Sequence, residues 1–62
     1  MKSIYSFIWL TKRCKKWLLK HCQLEDYQIQ QDKIIVEFRY AIDILHGLKE
    51  NGFEALKDFY LI

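Results

Sequence analysis

The chain has 62 residues, 52% of them hydrophobic, with two Trp, four Tyr and four Phe. That is too apolar for disorder and too short to enclose a deep catalytic cleft. The net charge of +2 conceals a split, because residues 1–22 hold six bases and no acid while residues 23–62 hold eight acids and four bases.

The size predicts one small domain, residues 1–62, with a thin core that association between copies would supplement. The charge split points to an anionic partner for the first half, or to pairing between copies. The uncharged run Ser3–Thr11 is too short for a transmembrane helix, which needs about 20 residues. A basic cluster follows it where a signal peptide would carry a small-residue cleavage site. The expected setting is cytoplasmic.

The first predicted element is a long amphipathic helix over Ile4–Cys22. At helical spacing, Phe7, Leu10, Cys14, Trp17, Leu18 and His21 fall in one arc of about 100°, the width of a core-facing stripe. Lys12, Arg13, Lys15, Lys16 and Lys20 fall opposite, with Tyr5, Ile8 and Trp9 on the same side in the first two turns. Aromatic, aliphatic and basic groups sharing one surface make a candidate partner-binding site of Tyr5, Ile8, Trp9, Lys12, Arg13, Lys16 and Lys20.

After a polar break at Gln23–Asp26, Tyr27 and Ile29 alternate with polar residues. So do Ile34, Val36, Phe38 and Tyr40. The second run is β-branched and aromatic, which predicts a β-hairpin with its loop at Gln30–Lys33. The rival reading is a helix from Asp32 through Glu50, which would make an all-α three-helix domain.

Ala41–Asn51 predicts a second helix, with Ala41, Ile44, Leu45 and Leu48 on its apolar face and Asn51-Gly52 as its stop. Gly47 inside it costs about 1 kcal/mol relative to alanine and suits a close approach by another element. Phe53–Leu61 predicts a short final helix, too short to stand alone, docked on the first. The expected fold is thus α+β: a long N-terminal helix, a hairpin, a second helix and a short C-terminal helix. A dimer could extend the hairpin through an exposed edge.

No chemistry gathers on this frame. Cys14 and Cys22 on one helix would lie about 12 Å apart along its axis, beyond the ~7 Å limit for a disulfide. Cys14 and His21 at about 10 Å do not suit one zinc ion, and His46 is the sole other soft ligand, so no metal or cofactor is expected. A catalytic thiol needs a base within hydrogen-bond reach. His46 could serve only by chance, although basic surroundings would lower a thiol pKa. Asp43, Glu50, Glu54 and Asp58 read as a solvated face.

The expected function is therefore non-enzymatic: a small regulatory or inhibitory protein that binds another protein through its basic, aromatic first helix, with a homo-oligomer as a further partner. The alternative is a nucleic-acid-binding module using the same helix. An anionic membrane surface is third. A pI of about 8.6 and the predominance of lysine over arginine weigh against nucleic acid.

Overall fold

The computed structural model describes residues 3–62, so Lys2, counted above with the basic segment, lies outside it. Three strands and two helices alternate: β1 (Ile4–Trp9), α1 (Lys12–His21), β2 (Lys33–Glu37), α2 (Phe38–Glu50) and β3 (Phe59–Leu61). A 3-10 turn at Asp26–Gln28 lies between α1 and β2. The strands form one antiparallel sheet in the order β2-β1-β3.

The predicted helix over Ile4–Cys22 is therefore two elements. Its first six residues are a strand, in which Tyr5, Phe7 and Trp9 face the core while Ile4, Ser6 and Ile8 face away. Phe7 is fully buried. β-Branched and aromatic residues fit a pleated surface better than a helix turn. Thr11 marks the boundary: its backbone is extended and its Oγ1 accepts the Cys14 amide N–H at 3.1 Å, an N-cap that starts α1.

The predicted hairpin is also corrected. Ile29 bridges Ile34, and the Gln30 N–H donates to the Lys33 carbonyl at 2.8 Å, so a turn does span Gln30–Lys33. Its first arm is the 3-10 turn, however, and the partner of β2 is β1, with Phe7 opposite Ile34 and Tyr5 opposite Val36. Phe38 and Tyr40 belong to α2, not to the strand. The all-α alternative fails on the same sheet.

The predicted C-terminal helix is absent. α2 stops where the Asn51 N–H reaches back to Gly47 and Leu48, and Gly52 takes φ +84°. The chain then folds around the buried carboxylate of Asp58. Its Oδ2 accepts the Glu54 N–H at 2.9 Å, and its own N–H donates to the Glu54 carbonyl at 2.8 Å. This turn sends Phe59–Leu61 back along the free edge of β1, opposite Phe7–Trp9. Pairing with an open edge satisfies more backbone groups than about two and a half turns of isolated helix would.

Both helices cover one face of the sheet. Cys14 and Leu18 from α1 and Ala41, Ile44 and Leu48 from α2 pack on Phe7, Ile34, Val36 and Phe59, with Phe53 closing the end. The outer edge of β2 is partly occupied, since the Gln28 Nε2 donates to the Ile35 carbonyl at 3.2 Å. At β3 the Leu56 N–H donates to the Phe59 carbonyl at 2.7 Å. Among the described residues no helix is long and apolar enough to cross a membrane.

Candidate functional site

Splitting the first segment into strand and helix splits the expected site. Tyr5 and Trp9 lie half-buried on the core side of β1, where Tyr5 meets Phe38 with ring centroids 5.8 Å apart. Ile8 points out of the opposite face of the sheet. Lys12, Arg13, Lys16 and Lys20 stay together and exposed on α1, within one arc of about 100°. Lys15, on the flank of that arc, holds its Nζ 5.6 Å from the Trp9 ring centroid.

None of these α1 cations has a carboxylate within ion-pair distance among the described residues, where the ion pair found is Lys57–Glu54 at 3.3 Å. The first turn of α1 carries no acid. Lys12, Arg13 and Lys15 therefore crowd the positive end of the helix dipole, an arrangement that costs stability. Folding alone does not account for it.

Beside this row runs a shallow groove of about 370 Å³, lined by Arg13, Lys16, Trp17, Lys20, His21, Asn51 and Phe53. Its floor is aromatic. The Trp17 ring lies 4.9 Å from His21 and 6.0 Å from Phe53, and the Arg13 guanidinium carbon stands 4.2 Å over the Phe53 ring. An apolar floor with a charged rim is the anatomy of a protein interface. Phe53 enters it from a loop, and no periodicity within the first 22 residues could have found it.

A second groove, about 500 Å³, separates the end of α1 from α2 and includes Trp17, Cys22, Tyr27, Tyr40, Asp43 and Ile44. Both thiols belong to the packing around it and the core. Burial pushes the Cys14 thiol up to about 11, helped by the negative charge of Asp58 and opposed by Arg13. Burial also pushes Cys22 up to about 11. This reverses the expectation that basic neighbours activate them: both are protonated near neutral pH and are poor nucleophiles. Among the described residues no three His, Cys, Asp or Glu side chains gather as metal ligands.

Comparison with known proteins finds no matching family model, no similar curated protein and no matching solved structure.

Proposed function

We propose that the protein is a small non-enzymatic regulatory or inhibitory module that binds an acidic surface of another protein. Arg13, Lys16 and Lys20 meet the partner's carboxylates, Lys12 extends the row, and an apolar side chain of the partner enters the groove over the half-buried Trp17, beside the point where Arg13 covers Phe53. The observation that supports this reading is the row of unpaired cations set beside an aromatic floor. Trp9 and Lys15 act from behind by holding α1 on the sheet, while Tyr5 packs against Phe38 of α2. A cytoplasmic setting suits the two free thiols, Cys14 and Cys22.

A second reading, binding to nucleic acid, draws support from the same row. Its exposed cations could meet backbone phosphates of any sequence, and the aromatics Tyr5 and Trp9 that would have anchored a protein partner are turned inward. Cross-linking capture from a nuclease-treated host extract separates the two. Wild type should retain a protein that Lys16→Glu/Lys20→Glu loses, with folding unchanged by circular dichroism. If the capture vanishes with nuclease, and log affinity for a single-stranded oligonucleotide falls steeply with log salt, the nucleic-acid reading replaces the first.

A further inference from the structure

The face of the sheet turned away from the helices is apolar where an antiparallel sheet facing water is ordinarily polar. Strand pairing lays it out as a grid. Ile35, Ser6 and Ile62 form the middle row; Glu37 and Ile4 lie on one side of it, and Lys33, Ile8 and Tyr60 on the other. Ile4, Tyr60 and Ile62 are 55%, 43% and 44% exposed. The polar members are the small Ser6 at the centre and one cation and one anion at the β2 edge.

We propose that this face is covered by a second copy of the chain, in a two-fold dimer whose sheets stack about 10 Å apart. The axis runs along the middle row. Rotation about it keeps each strand over its own counterpart and exchanges the two flanking rows. Ile4 of one copy then lies over Ile8 of the other, and Lys33 of one copy over Glu37 of the other, twice by symmetry. The charges complement each other only in this arrangement, and Ser6 leaves room on the axis for the aliphatic side chains to interdigitate.

Area points the same way. The chain exposes 4799 Å², whereas a monomeric protein of 7.6 kDa exposes about 4,300 Å². If this face accounts for that surplus of about 500 Å² on each copy, the interface is about 1,000 Å², the size at which specific association begins. Stacking also leaves the partly occupied outer edges of β2 and β3 as they are, and leaves α1 outermost on both copies. The proposal does not depend on what α1 binds.

Sedimentation equilibrium of the full chain, from about 5 μM to about 500 μM, tests it together with a charge swap. Wild type should reach a dimer of about 15 kDa, twice the 7.6 kDa chain. Lys33→Glu and Glu37→Lys each set like charges opposite one another twice, and each should weaken the dimer by about tenfold or more. The double variant Lys33→Glu/Glu37→Lys should return to within about threefold of wild type. Circular dichroism confirms that each variant folds. A monomer throughout the range, a dimer indifferent to both single changes, or no rescue by the swap would each overturn the proposal.

Discussion

Gly47 on α2 faces the edge of the Trp17 indole so closely that a β-carbon there would lie 2.7 Å from Cη2 and 3.1 Å from Cζ2 of that ring. The indole of α1 reaches α2 at this point, and the missing side chain is what admits it. For Trp17 to retreat, it must disturb its ring contacts with Phe53 and His21.

Gly47→Ala therefore sets two effects against each other. Helix propensity gains about 1 kcal/mol, and overpacking costs about 1–3 kcal/mol. The expected net is a loss of about 1 kcal/mol. In a Trp17→Leu background the clash is gone, and Gly47→Ala should become stabilising by up to about 1 kcal/mol. Urea unfolding of the four proteins checks the change of sign.

Leu56 takes φ +69° and is 73% exposed. A branched side chain in the left-handed region costs about 1–2 kcal/mol, with no buried contact to offset it. Leu56→Gly should raise stability by about 0.5–1 kcal/mol once the entropy of glycine is allowed for. A higher urea midpoint with an unchanged slope would show it.

Lys12 opens α1 at the positive end of the helix dipole. Lys12→Glu should stabilise the fold by about 0.5–1 kcal/mol, less in high salt. It should also weaken binding of the captured partner. Opposite signs for stability and binding, measured by thermal unfolding and titration, would mark the cation as kept for a partner. A fall in both would mark it as structural.

The thiols predict an alkaline limb. Cys14 and Cys22 ionise near 11 when folded against an ordinary value of 9.0. The unfolded chain thus loses these protons first as pH rises. Stability from this source is full below about pH 9 and is lost as pH climbs through about 11, by about 2–3 kcal/mol per thiol. Between pH 8 and 10.5, Cys14→Ala and Cys22→Ala should each lose less stability than wild type, whatever their offset at pH 8. Equal slopes would sink the account.

Parts of this architecture were legible in the residues. The body of α2 is legible from Ala41, Ile44 and Leu48 and its Asn51-Gly52 stop, though not its first turn at Phe38–Tyr40, and Gly47 already suggested a close approach. The error at the N-terminus has a physical source. Phe7, Leu10, Cys14 and Leu18 keep helical spacing by coincidence, while Tyr5, Phe7 and Trp9 keep strand spacing, and only Thr11 as an N-cap separates the two. Ile34–Tyr40 misled because the alternation runs on past Glu37, where strand turns directly into helix. β3 was invisible locally, since the partner that makes it a strand lies at the other end of the chain. The cations of α1 survive the correction as a group because all of them follow Thr11, and the aromatics do not because they precede it.

Placing β1 at the centre of the sheet fixes an order of events. Phe7 pairs with Ile34 on one side and with Leu61 on the other, so the strand made first is the last to be enclosed. At about 5–20 residues per second of synthesis, its second edge stays open for seconds, exposing an Ile-Tyr-Ser-Phe-Ile-Trp segment with a strong tendency to pair with other strands. A chain stopped before Phe59 would lack a fully buried core ring and keep that edge open for good. Phe59–Leu61 thus decide whether a newly made copy closes into a native sheet or keeps an open edge prone to aggregation.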